Sequence, residues 1–202
     1  MKKTAILLVC TICLLVMGSC KKEPNTTSSN GMDGVYRSLG YGRLVKIANG
    51  EFIVADITSR SCIPLMDGAV DDLGDALQYN NDTLTLKDGI NLYYFVRTDD
   101  APAICKKGSA EYVEAEEKKN DPVYNFEVLW ETFKEHYAYF ELRGVNPDAM
   151  YAEYRPKISS EMSDAEFYSV VFEMLESFGD GHIGISAPDE IEKAAMALQM
   201  DE

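Results

Sequence analysis

Asp121-Pro122-Val123-Tyr124-Asn125-Phe126-Glu127-Val128-Leu129-Trp130-Glu131-Thr132-Phe133-Lys134-Glu135-His136-Tyr137 is the stretch whose reading decides the fold. Phe126, Leu129, Trp130, Phe133 and Tyr137 recur at helical spacing, which predicts a helix with one apolar face. Asp121-Pro122 is its start signal: a carboxylate caps the free amides, and proline stands where no amide donor is needed. Asn146-Pro147 repeats the signal, and the helix it opens has to stop before Pro156. Ser163-Asp164-Ala165-Glu166 is a capping box. It opens a third helix with Phe167, Val170, Val171, Met174, Leu175 and Phe178 on one face. Gly179 supplies the left-handed residue that ends it. Ile183 and Ile185 then alternate with Gly184 and Ser186, as in a strand. Residues 121–187 therefore predict three helices ending in a short strand. His182 falls in the turn between helix and strand, on a glycine-loosened backbone that other groups can approach closely.

The preceding part, residues 32–105, reads as β-structure. Leu44, Val45 and Ile47 lead to Asn49-Gly50, and Phe52, Ile53, Val54 and Ile57 follow; Asn-Gly between two apolar runs is a strong hairpin signal. A second hairpin runs through Thr83-Leu84-Thr85-Leu86, Asp88-Gly89 and Leu92-Tyr93-Tyr94-Phe95-Val96. Val35-Tyr36-Arg37-Ser38 is a further strand, and residues 66–78 are acidic with a helix-like spacing of Leu73 and Leu77. Five or six such strands suit a small antiparallel barrel or sandwich, so the fold class is α+β. Tyr36, Tyr41 and Phe52 either belong to its core or line a ligand pocket. Residues 106–120 form a charged linker or exposed helix between the two parts. Residues 188–202 are rich in helix formers and predict a helical tail.

Residues 1–19 read as a targeting segment. Lys2-Lys3 precede an uncharged apolar run that is short for a membrane span and suited to a signal sequence. Gly18-Ser19-Cys20 then resembles a bacterial lipoprotein signal, which implies acylation of Cys20 and a lipid anchor in the cell envelope; the other reading is an ordinary signal peptide with a chance cysteine. Acyl chains stabilise anchoring by about 0.8 kcal/mol per buried methylene. Residues 20–31 continue as a polar tether.

The net charge is −15 over 202 residues, with 46% hydrophobic and 26% charged residues. Such a chain repels nucleic acid, which excludes DNA and RNA as partners. Apart from Cys10, Cys13 and Cys20, the cysteines are Cys62 and Cys105. In an oxidising compartment they suit a disulfide, with free buried thiols or a metal pair as the alternatives. On chain entropy alone such a bridge is worth roughly 4 kcal/mol. Two cysteines and two distant histidines make a poor zinc signature, and no cofactor is implied.

Asn125-Phe126-Glu127-Val128-Leu129-Trp130-Glu131-Thr132-Phe133, His136-Tyr137-Ala138-Tyr139-Phe140, Leu142-Arg143-Gly144-Val145 and Gly179-Asp180-Gly181-His182 follow one another in the chain. In order and spacing they resemble the N-terminal helical segment of the tail-specific (C-terminal processing) and tricorn-like serine peptidases. The resemblance covers about a third of the chain. It implies a peptide or protein substrate and, for the tricorn-like branch, His182 as general base. It also implies a nucleophilic serine, and an acid orienting the histidine, well downstream of the residues that match. The chain as given ends before them, so the expectation is an N-terminal portion of such a peptidase. The other reading is a non-enzymatic envelope lipoprotein that binds a peptide or small apolar ligand through its β-domain.

The residues themselves leave several roles open. His182 is either a base or a turn histidine whose charge suits a helix C-terminus. Asp180 either holds the histidine or caps the turn. His136 is expected as a partly buried packing residue beside the apolar stripe. A metal site from Asp180, His182 and His136 lacks helical ligand spacing. Ser177 has no nucleophile-elbow context, and Ser186 would lie about 13 Å from His182 if both stood in one strand.

Overall fold

A computed structural model describes residues 31–200. The signal segment, Cys20 and most of the tether lie outside the described residues. Among those described, seven strands form one antiparallel sheet: β1 (Gly34–Ser38), β2 (Arg43–Ala48), β3 (Glu51–Ile57), β4 (Cys62–Ala69), β5 (Leu77–Asn80), β6 (Thr83–Asp88) and β7 (Asn91–Arg97). Their order is β4-β3-β2-β1-β7-β6-β5. The sheet curls as a half-barrel with β4 and β5 as its edges, rather than pairing as a sandwich.

Both expected hairpins form. Asn49 and Gly50 have positive φ between β2 and β3, as a tight two-residue turn demands. Gly89 has φ 58° between β6 and β7. β4 and β5 are additions to the predicted set. β4 carries Pro64, whose missing N–H is tolerated on an edge strand, and its register slips against Val54 and Ala55. The helix expected within residues 66–78 shrinks to α1 (Val70–Leu73), because β4 and β5 occupy its flanks. This segment joins one edge of the sheet to the other. Val70 and Leu73 pack there with Tyr36, Val45, Ile47, Phe52, Val54, Leu84 and Phe95.

The charged run contains α2 (Ala110–Lys118), capped by the Ser109 hydroxyl. The helical part follows as α3 (Pro122–His136), α4 (Phe140–Arg143), α5 (Pro147–Tyr154), α6 (Asp164–Glu176) and α7 (Asp189–Met200). Asp121 accepts from the Val123 amide, Asn146 from the Ala149 amide, and Ser163 with Glu166 closes the capping box. The three caps are therefore used as the sequence predicts. Phe126, Trp130, Met150, Tyr154, Ile158, Val171, Met174, Leu175 and Phe178 form the helical core. Burying each large side chain contributes roughly 1.5–3 kcal/mol.

The strand expected at residues 183–186 does not form. Burial still alternates, with Ile183 and Ile185 against the helical core and Gly184 and Ser186 exposed. The period-two pattern is real, but no strand pairs with the segment among the described residues, and a strand is defined by its ladder.

Candidate active site

α3 joins the two parts of the molecule. At its C-terminal end the Glu135 carboxylate accepts from the Ser59 amide (2.8 Å), and His136 Nε2 donates to the Ile57 carbonyl (2.9 Å). A carbonyl only accepts, so that nitrogen carries the proton. The ring lies directly on Gly42, where a Cβ would overlap it. His136 is exposed overall, which corrects the expectation of a partly buried packing residue. Contacts of the Nε2 and Cε1 side of the ring with the Ile57 carbonyl and Gly42 hold it, not burial in the apolar stripe.

The second histidine stands in the turn after α6, which Tyr137, the residue next to His136, also reaches. Phe178 is 2% exposed and packs with Phe133, Tyr137 and Phe140. This aromatic anchor fixes the start of the turn. Gly179 follows with φ 60°, the left-handed conformation that ends α6. Arg143, presented by α4 next to the left-handed Gly144, donates to the Gly179 carbonyl (2.7 Å). Its guanidinium also lies 3.2 Å from Asp180 Oδ1.

Asp180 is the centre of the arrangement. Oδ2 accepts from the Tyr137 hydroxyl (2.8 Å). Oδ1 accepts from the His182 backbone amide (3.1 Å) and lies 2.9 Å from His182 Nδ1. Asp180 thus both caps the turn and touches the ring. Its side chain is 4% exposed, whereas the His182 side chain is 92% exposed. The Tyr137 hydroxyl, then the His182 ring and amide, and then the Arg143 charge lower the Asp180 carboxyl to about 2. Burial first, and the bond to Asp180 second, raise the Tyr137 phenol above its usual range. Near neutral pH this is a phenol donating to a carboxylate.

The resemblance motifs that lie apart in sequence therefore meet here: Tyr137, Arg143, Asp180 and His182. Sequence reasoning placed Tyr137 only on the apolar stripe and gave Arg143 no role. The available signal was the stripe's last residue carrying a polar tip, since a half-buried tyrosine hydroxyl finds a partner. No serine joins the group among the described residues. The Ser177 hydroxyl donates to the Met174 carbonyl (2.6 Å), inside its own helical turn. Ser186 stands in the unpaired segment, where strand spacing does not apply.

Elsewhere, Cys62 and Cys105 form a disulfide with Cα atoms 5.3 Å apart, which removes both as free thiols or metal ligands. Among the described residues no group of three or more His, Cys, Asp or Glu side chains is placed to hold a metal ion. Nor is any described helix long and apolar enough to cross a membrane. Tyr36 and Phe52 are core, at 0% and 4% exposure, while Tyr41 lies outside at 57%. The cavity inside the curl measures about 10 Å³, far below the roughly 300 Å³ where small-molecule pockets begin.

A histidine resting on a held carboxylate is an arrangement that general base catalysis can use. Residues 119–176 match the family model of the tricorn protease C1 domain, which supports a relationship to tricorn-like proteases. The match covers less than a third of the chain and stops just short of the turn that bears His182. No curated protein and no solved structure matches the chain.

Proposed function

We propose that the chain is part of a lipid-anchored, tricorn-like serine endopeptidase of the bacterial cell envelope, with His182 as its general base. The nucleophilic serine is supplied from outside the described residues. The observation that carries this reading is the placement of His182: one ring edge lies against a buried, ionised carboxylate and the other is open to an incoming group. A general base needs a lone pair within hydrogen-bond reach of the hydroxyl it deprotonates. An exposed histidine on a glycine-flanked turn, backed by an aromatic core, offers that access. The similarity of residues 119–176 to the tricorn protease C1 domain supports the same class, and with it a peptide or protein substrate.

The polypeptide isolated from its own cells should react with a fluorophosphonate probe, and the modified peptide should carry a serine outside residues 31–200. Absence of labelling in active membranes, or labelling at a serine within that range, would overturn the assignment. Anchoring is tested separately. Mass spectrometry of the mature N-terminus should find acylated Cys20, and an unmodified N-terminus elsewhere would remove the anchor while leaving the peptidase reading intact.

A further inference from the structure

We infer that Asp180 is a positioning residue for His182: held by Tyr137 and Arg143, it fixes the imidazole as the Nδ1–H tautomer and leaves Nε2 as the proton acceptor. The resemblance implies an orienting acid far downstream, whereas the geometry points to a local one two residues before the histidine. The catalytic consequence rests on the reading of His182 as the base; the tautomer does not.

The argument begins with what a turn cap requires. An aspartate that only caps a turn needs one oxygen on a backbone amide and leaves the other in water. Asp180 has that amide bond, from His182 N, but it has much more. Its second oxygen is taken by the Tyr137 hydroxyl, and its first also faces the Arg143 guanidinium. Burying a carboxylate costs free energy unless donors replace its water. Here donors from α4 and the end of α3 converge on it, and together they fix the position of both oxygens. The group left to be oriented is the ring lying 2.9 Å away. A side chain 92% exposed has no packing to choose its rotamer, so this bond is what selects it.

The tautomer follows from hydrogen-bond inventory. An ionised carboxylate only accepts, so the proton shared with Oδ1 has to sit on Nδ1. In the neutral ring Nε2 then carries the lone pair. His136 has the opposite assignment, because its Nε2 donates to the Ile57 carbonyl. The sequence has two histidines, so each serves as the reference for the other.

Nitrogen-15 correlation of the imidazole rings at about pH 8, above the ordinary histidine range, reads both tautomers. The native protein should show His182 as Nδ1–H and His136 as Nε2–H. In Asp180→Ala the Nδ1–H loses its acceptor, and the His182 population should shift towards Nε2–H with the His136 signals unmoved. Wild-type His182 as Nε2–H would overturn the inference, and so would an Nδ1–H population left unchanged in folded Asp180→Ala. If Asp180→Ala does not fold, the wild-type spectrum still decides. Tyr137→Phe is the second variant: it removes one of the two side chains that hold Asp180, so the Nδ1–H fraction of His182 should fall, and an unchanged fraction would contradict the part assigned to Tyr137. In a probe-reactive form of the protein, Asp180→Ala should slow labelling about 10²–10⁴-fold, as expected for a base in the wrong tautomer. Probe labelling that survives His182→Ala would remove the catalytic reading and leave the tautomer result standing.

Discussion

His136 and His182 both stand near the C-terminal end of a helix, yet the structure treats them in opposite ways. His136 spends Nε2 on the Ile57 carbonyl and lays its ring on Gly42, so it joins the helical part to the sheet. His182 leans its other nitrogen on Asp180 and keeps the rest of the ring in solvent. Residue type is the same; the partner is different. A carbonyl partner consumes the nitrogen best placed for chemistry, while a carboxylate partner turns that nitrogen outward. Exposure alone does not separate the two, since both are exposed.

The largest expected effect lies on the His136 side. The Cys62–Cys105 bridge closes the chain beside residues 57–61, which receive Glu135 and His136. Replacing both cysteines by alanine should lower stability by about 2–4 kcal/mol in denaturant titration. It should also broaden the His136 ring signals and leave those of His182 unchanged. Equal disturbance of both would mean that the two sites are not independent.

Next in size is Gly42→Ala. The added methyl collides with the His136 ring and should destabilise by about 1–3 kcal/mol. In a His136→Ala background the same change should cost much less, because the obstacle is gone. A double-mutant cycle with no coupling would sever Gly42 from the His136 contact.

These contacts also show what was legible in the sequence. Helix starts were readable because Asp121, Asn146 and Ser163 cap locally, and a cap is a sequence-local device. The two hairpins were readable for the same reason, through Asn49-Gly50 and Gly89. β4 was not, because Pro64 and Gly68 disguise an edge strand whose identity depends on β3. The extended run at residues 183–186 showed the reverse error: alternation without a partner. At the site, His182 and its neighbour Asp180 were visible in one turn. Tyr137 and Arg143 reach them across 43 and 37 positions of sequence, a convergence that only tertiary packing creates.

Acid should distinguish the two histidine sites in a different way. The Asp180 carboxyl is lowered from 3.8 to about 2 in the folded protein. A depressed carboxyl contributes stability that is complete above the unfolded value and is lost as pH falls through the folded one. Between about pH 4 and pH 2, the wild type should therefore lose stability in the helical part more steeply than Asp180→Asn. Identical acid profiles would place the Asp180 interactions outside the folding equilibrium.

The smallest expected effect on stability is at His182 itself. With 92% of its side chain exposed, His182→Ala should change unfolding free energy by no more than about 0.5 kcal/mol. A substantially larger loss would make it a structural turn histidine.

That near-silence in stability gives the direct test of the account. The complete polypeptide, isolated from its own cells, is compared as wild type, His136→Ala and His182→Ala for its rate of fluorophosphonate labelling. His182→Ala should reduce the rate by at least about 10²-fold while the protein stays folded. His136→Ala should label at close to the wild-type rate despite its lower stability. Labelling that survives His182→Ala, or that is lost only in His136→Ala, would contradict the assignment of His182 as the base.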